Sequence, residues 1–255
     1  MTEPLLKLEG VHKSFGPKHV LNGVDIDVAP GRSLVIIGGS GTGKSVMLKC
    51  ALGLMKPDKG DVFFNGESLT TGKTAKKQRD MLERTGMLFQ GGALFDSLPV
   101  WQNVSFRLLH GGKMKRSDAK ELAIDTLKKV RLGSDIADLY PSELSGGMQK
   151  RVGLARAIAT KPELIFFDEP TTGLDPITAD AINDLIVEQT KTLGASSVSI
   201  THDMPSARKI GDEIAMIFEG KIIWRGPADT VDDSGNEYVD QFVHGRAHGP
   251  IQPAM

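Results

Sequence analysis

The chain opens with short stretches in which apolar and polar residues alternate, around residues 5–11 and 20–28, before the turn signal Pro30-Gly31. A compact apolar run follows at 33–37, and the glycine-rich stretch 38–43 breaks it. Residues 45–54 read as a helix, closed by Lys56-Pro57-Asp58-Lys59-Gly60. A strand at 61–65 turns at Asn65-Gly66, a charged helix is predicted over 74–84, and a strand over 86–89. Then the character changes. Ala119, Leu122, Ala123, Leu127 and Val130 are spaced for one helix face, and Val152, Ala155 and Ile158 repeat that spacing after Ser145. Residues from about 94 to 160 are therefore predicted as a helical insertion. Strands and helices alternate again afterwards, with strands at 164–167, 197–200, 213–218 and 222–224 and a helix marked by Ile182, Leu185, Ile186 and Leu193.

This order predicts an α/β fold with a mostly parallel sheet, helices on both faces, and a separate small antiparallel sheet from the opening strands. One domain is expected over residues 1–244, its helical subdomain at about 94–160, followed by a tail over 245–255. Tyr238, Phe242 and Val243 give a short apolar face, and beyond it Gly249, Pro250 and Pro253 predict a tail that stays loose unless a surface captures it. Lys73, Lys76, Lys77 and Arg79 are expected to form a solvated helix face.

Composition narrows the function classes. The 255 residues carry 31 Lys+Arg against 32 Asp+Glu, and aromatics make up 5%. There is no global basic field and no supply of stacking platforms, so no nucleic-acid partner is expected. One cysteine, Cys50, excludes a disulfide framework. No apolar run approaches the roughly 20 residues of a membrane span, and residues 1–10 do not read as a secretory signal. If the protein serves a membrane, another chain is expected to cross it.

Three motifs carry the chemistry. Gly38-Gly39-Ser40-Gly41-Thr42-Gly43-Lys44-Ser45 matches G-x-x-x-x-G-K-[ST], with a predicted strand before it and a helix after it. Glycines let several backbone amides converge on phosphate oxygens. The helix start adds its positive end. Lys44 reaches the β- and γ-phosphates, and the Ser45 hydroxyl ligates Mg²⁺. Second, the apolar strand 164–167 ends in Asp168-Glu169, which places two carboxylates at the sheet edge where α/β ligands bind. Asp168 is expected to hold Mg²⁺ and Glu169 to orient or deprotonate an attacking water. Third, Ser145 caps a helix opened by Gly146 and Gly147, within Leu144-Ser145-Gly146-Gly147-Met148-Gln149, and forms a second anion site without a lysine.

These motifs, taken with Phe15, Gln90, Gly173-Leu174-Asp175 and His202 and standing in this order, resemble the ATP-binding subunits of ABC transporters over about residues 5–226. The resemblance implies a P-loop NTPase (RecA-like) core that hydrolyses ATP with Mg²⁺. It implies that Phe15 stacks on adenine, Gln90 reaches Mg²⁺ and the attacking water, and His202 contacts the γ-phosphate. It also implies that Asp175 crosses a dimer interface, and that each ATP is sandwiched between one copy's phosphate loop and the Ser145–Gly147 segment of a second copy. A permease subunit would touch the surface around Gln90, Ala93, Leu94, Phe95 and Leu98. A GTPase would need N/T-K-x-D, and Thr160-Lys161-Pro162-Glu163 lacks the Asp. A chromosome-scaffold ATPase would carry a long coiled coil between phosphate loop and signature, where only about 100 residues lie. A translation-associated relative would usually carry two copies of the module.

Within the family, Gln90-Gly91-Gly92-Ala93-Leu94-Phe95, the run from Pro141 to Met148, Asp175-Pro176-Ile177-Thr178 and the tail around Gln241-Phe242-Val243 resemble the motor of Mla/Mce-type phospholipid transporters. That implies work at the cytoplasmic face of the inner membrane, with a small regulatory subunit and a periplasmic lipid-binding protein as further partners and a tail that packs on the second motor subunit. The alternative within the family is a motor for amino acids or another small solute.

Overall fold

The computed structural model describes residues 3–72, 74–112 and 114–252. They form two compact units, one running to Arg79 and resuming at Val198, the other spanning Asp80–Ser197.

In the first unit, β1 (Leu6–Phe15), β2 (Lys18–Val28), β4 (Lys59–Phe64) and β5 (Glu67–Ser68) form an antiparallel sheet in the order β2-β1-β4-β5. Alternate residues are buried, including Leu6 and Leu8 on β1 and Val24, Ile26 and Val28 on β2, as a half-covered sheet requires. A second sheet holds β3 (Ser33–Ile37), β8 (Ser196–Ile200), β9 (Glu213–Phe218) and β10 (Lys221–Pro227), in the order β10-β9-β3-β8. β3 and β9 run parallel, from Leu34 opposite Glu213 to Ile37 opposite Met216. Leu34, Val35, Ile36 and Ile37 are all buried, which explains why β3 reads as a continuous apolar run. β10 returns antiparallel to β9, so the sheet is mixed at this edge.

The helices of this unit are α1 (Lys44–Ala51), α7 (Met204–Ile210) and α8 (Glu237–Val243), and α2 (Thr74–Arg84) begins in it. On α2, Lys76 and Arg79 are exposed as expected, whereas Lys77 reaches back to the Ser68 carbonyl at 3.0 Å; Lys73 lies outside the described residues.

The segment leading into the tail finds a surface on the chain itself. α8 buries Val239 and Gln241 and leaves Tyr238, Phe242 and Val243 half-buried, with the Tyr238 ring tilted against that of Phe218 at 4.9 Å between centroids. Past Gly245 the chain folds back on its own helix. The Gln241 amide nitrogen donates to the carbonyls of Arg246 (3.0 Å) and Ile251 (2.9 Å), and its oxygen accepts from the Ile251 amide (2.7 Å). A buried polar side chain here does what an apolar anchor would do elsewhere, because the returning segment brings unpaired backbone groups to it. Pro253 lies outside the described residues.

In the second unit, β6 (Thr85–Leu88) runs parallel to β7 (Leu164–Asp168), from Thr85 opposite Leu164 to Leu88 opposite Phe167. The helical insertion consists of α3 (Val100–His110), α4 (Arg116–Lys129) and α5 (Gly146–Ile158), with 3₁₀ turns at Ser134–Ile136 and Pro141–Glu143, all inside the predicted range. α4 buries Ala119, Ala123 and Leu127 as its periodicity foretells, and α5 buries Val152, Ala155 and Ile158. α6 (Pro176–Leu193) follows β7.

α5 lies directly on the backbone of β6. A Cβ at residue 86 would stand 2.2 Å from the Ala157 carbonyl oxygen, and one at residue 153 would stand 2.7 Å from Leu88 Cδ1. Gly86→Ala is therefore expected to force helix and strand apart at a cost of about 1–3 kcal/mol, seen as a lower urea midpoint with an unchanged slope. A midpoint equal to that of the parent would show that this contact gives way freely.

Candidate functional site

The loop leaving β3 has a backbone that side chains would spoil. Gly38 has φ 151°, and a Cβ there would lie 2.5 Å from the Ile217 carbonyl oxygen. Gly43 has φ 108°, and its Cβ would lie 2.8 Å from the Val20 carbonyl oxygen. Inside this turn the buried Lys44 ammonium donates to the carbonyls of Gly38 (2.5 Å) and Gly39 (2.8 Å), and Thr42 Oγ1 donates to Gly39 at 2.9 Å. The carbonyls of the loop are thereby drawn toward the lysine. α1 then starts with no side-chain cap and no acid in its first turn, which suits its amides to an anion. Ser40, Gly41 and Ser45 are exposed on the same loop.

Phe15 ends β1 opposite Lys18, with 49% of its surface exposed and Lys13 Nζ 5.9 Å from its ring centroid. It is a free ring face rather than a core residue. His202 is exposed in the turn between β8 and α7. That turn is tied down on both sides, since Thr201 donates its amide to Ile36 (3.2 Å) and Asp203 caps α7 by accepting from the Ser206 amide (2.9 Å).

In the second unit, β7 delivers its carboxylates from a buried stem, Phe166 and Phe167 being fully covered. Asp168 closes the strand. Glu169 turns into the left-handed region at φ 48°, and Thr172 Oγ1 donates to its Oε2 at 3.0 Å. The half-buried carboxylate thus has a donor within its own loop. Further along, Asp175 caps α6, accepting from the Thr178 hydroxyl (2.5 Å), the Thr178 amide (3.0 Å) and the Ile177 amide (3.1 Å). These bonds, the Thr178 hydroxyl foremost, hold its carboxyl below the usual carboxylate range.

The signature segment joins this cluster. Ser145 Oγ accepts from the Met148 amide at 3.3 Å as the cap of α5. A Cβ at residue 147 would stand 2.9 Å from Thr178 Cγ2, so Gly147 lets the starts of α5 and α6 touch. Ser145 and Gly146 remain exposed, and no acid stands in the first turn of α5.

Gln90 is exposed just past β6. Beyond it the apolar residues form a rigid patch. Phe95, 42% exposed, stacks on Phe106 at 4.4 Å, and the fully buried Asn103 accepts from the Phe95 amide (2.7 Å) and donates to the carbonyls of Phe95 (3.1 Å) and Leu98 (2.9 Å). Two cations absent from the motif reading also bind this loop. Lys150 donates to the Gln90 carbonyl, and Arg156 donates to those of Gly92 and Ala93, both at 2.7 Å.

Among the described residues, no three His, Cys, Asp or Glu side chains gather as a metal cage. Ser45 in the first unit offers a hydroxyl oxygen, and Asp168 and Gln90 in the second offer a carboxylate and an amide oxygen, all hard donors. Each is a donor type that suits Mg²⁺, which keeps waters and phosphate oxygens and takes few protein ligands.

The ABC transporter family model matches residues 21–172. The chain is 39% identical to the protein TRIGALACTOSYLDIACYLGLYCEROL 3 of Arabidopsis thaliana, over 98% of this chain and 76% of that protein. It is 36% identical to the probable ribonucleotide transport ATP-binding protein mkl of Mycobacterium leprae, over 96% and 70%. It is 37% identical to the L-cystine import ATP-binding protein TcyN of Bacillus subtilis, over 89% and 87%. Among solved structures it resembles the ATP-binding cassette MJ0796 in a dimeric post-hydrolysis state bound to ADP and Pi, with a TM-score of 0.79 and 30% identity over 88% of this chain and 98% of that one.

Gly38→Ala is expected to weaken ATP binding on the order of tenfold or more, because the loop must open to admit the methyl group. Titration with a fluorescent ATP analogue measures this, and affinity equal to that of the parent would remove the loop from phosphate binding.

Proposed function

As this chain belongs to the ABC transporter ATP-binding family, we propose that it drives a phospholipid transporter, acting as a head-to-tail pair of copies beneath a separate permease. Membership of the family makes it an ATP-hydrolysing motor subunit. The observation that carries the reading is the phosphate loop, closed by glycine-only backbone and drawn around a buried lysine.

In this reading Phe15 stacks on adenine, and Gly38, Gly39, Ser40, Gly41, Thr42, Gly43 and Lys44 take the phosphates. Ser45, Asp168 and Gln90 would hold Mg²⁺, which neutralises charge on the phosphate oxygens when bound. Glu169 accepts the proton of the attacking water, and His202 donates to the γ-phosphate. The backbone amides at Ser145, Gly146 and Gly147 serve the ATP of the second copy, which accounts for an anion-ready helix start with no lysine of its own. ATP favours the closed pair, and loss of the γ-phosphate releases it.

No helix of the described residues is long and apolar enough to cross a membrane. Attachment at the cytoplasmic face of the inner membrane is then through the permease, and the exposed Phe95 patch rimmed by polar residues supports this. A small regulatory subunit and a periplasmic lipid-binding protein complete the proposed assembly. The lipid assignment draws support from the subgroup-like stretches at 90–95, 141–148 and 175–178, and from a relative whose name is that of a galactolipid. The similarity to an L-cystine import protein supports the second reading, a motor for a small solute. Transfer of a fluorescent phospholipid between vesicles by the reconstituted complex distinguishes the two. ATP-dependent transfer supports the lipid reading, and ATPase stimulation by an amino acid without lipid transfer overturns it.

Glu169→Gln is expected to lower turnover by about 10²–10⁴-fold while ATP still binds, as steady-state hydrolysis and nucleotide titration will show. Hydrolysis near the parent rate would exclude Glu169 as the base. Phe95→Asp is expected to leave ATP affinity unchanged and to reduce recovery of the permease in co-purification, and undiminished recovery would count against this docking surface.

A further inference from the structure

Lys150 stands one turn into α5 and is 5% exposed. A buried ammonium costs several kcal/mol of lost hydration unless acceptors replace the water. Here two backbone carbonyls do so. One is Gln90, just past the end of β6, and the other is Glu169, at 3.2 Å, just past the end of β7. Both strands have left their ladder at these points, Leu88 opposite Phe167 being the last pair. A carbonyl that leaves a ladder inside a protein needs another donor. Burial pushes Lys150 below the ordinary lysine range, while the carboxylates of Asp168 and Glu169 oppose that shift.

The neighbouring contacts show what Lys150 adds. α5 lies along the loop after β6 on one face, with Lys150 at its start, Gly153 against Leu88, and Arg156 on the Gly92 and Ala93 carbonyls. Of these three positions, Lys150 also reaches Glu169. Glu169 is held at φ 48°, a conformation that side-chain-bearing residues rarely adopt and that persists where the surroundings enforce it. A donor on its carbonyl is part of that enforcement, and the backbone angle decides where the carboxylate points.

We propose that Lys150 is a positioning residue for hydrolysis, tying the main chain of Glu169 to that of Gln90 and so setting the direction from which the Glu169 carboxylate meets water. The proposal rests on Glu169 being the general base, and goes beyond it by naming what aims that base. It also makes the signature helix the support of the catalytic carboxylate of its own subunit.

The test uses the full chain with Lys150→Met, which keeps the stem and removes the ammonium, and Lys150→Arg, which keeps a cation. Lys150→Met is expected to lower kcat roughly 10–100-fold, the scale of a small misplacement of a reacting group, with KM and ATP affinity within about threefold of the parent. Lys150→Arg is expected to recover most of the rate. In a Glu169→Gln background, Lys150→Met is expected to lower the residual rate no further, because both changes remove one function. A parent-like kcat in Lys150→Met, a loss confined to ATP affinity, or losses that multiply in the double variant would each overturn the proposal. If Lys150→Met fails to fold, as read by circular dichroism, Lys150→Gln is measured against the same three outcomes. A Glu169→Gln variant that hydrolyses ATP at the parent rate would instead refute the assignment of the base.

Discussion

Where a buried strand stops, its next peptide groups lose their ladder partners, and this constraint organises the chemistry of the chain. β3, β6, β7 and β8 each run straight into a loop that carries functional candidates: Gly38–Ser45, Gln90, Asp168-Glu169 and His202. The outgoing carbonyls must be satisfied without water. In both units a buried lysine does this. Lys44 draws in the carbonyls of Gly38 and Gly39, and Lys150 draws in those of Gln90 and Glu169. Each lysine comes from the helix that follows or overlies the loop. The cation fixes the loop, and the loop fixes the helix start, so an anion site and its backbone frame are built by one interaction.

Much of this was legible in the sequence where a residue type encodes backbone geometry. The glycines at 38 and 43 demand φ values and clearances that no other residue supplies, so a tight turn between a strand and a helix was legible there. The helical insertion was legible because Ala119, Ala123 and Leu127 repeat at helical spacing. Less was legible where polar residues act as core. Gln241 organises the returning tail through both ends of its amide, yet a glutamine between Asp240 and Phe242 gives no periodic signal. Lys150 and Arg156 read as ordinary surface cations of a helix, since only the three-dimensional proximity of stranded carbonyls gives them partners. The antiparallel return of β10 was hidden too, because a short strand after a turn reads alike in either direction.

The Phe95 surface shows how exposure and order coexist. An exposed aromatic on a loop would ordinarily sample many positions and lose that freedom on binding a partner. Here Phe106 holds the ring from below and Asn103 holds the backbone on either side of it, so the surface is set before any contact forms. Asn103 is fully buried and spends its amide on carbonyls of the loop, which makes it a structural residue of the patch rather than a contact.

Coupling follows from the same economy of contacts. α5 begins at the capped Ser145 segment, where its start meets Thr178 and through it Asp175. Its next turns carry Lys150, Gly153 and Arg156, which bind the loop from Gln90 to Ala93, and that loop runs on to Phe95. α5 thus has its start at the Ser145 segment and its flank fastened to the loop that leads to the Phe95 surface. The fasteners are hydrogen bonds from charged donors to backbone carbonyls, a stronger kind than neutral pairs. The contact between Lys150 and Glu169 adds a second attachment, so that the Glu169 main chain and the loop leading to Phe95 are held by the same helix.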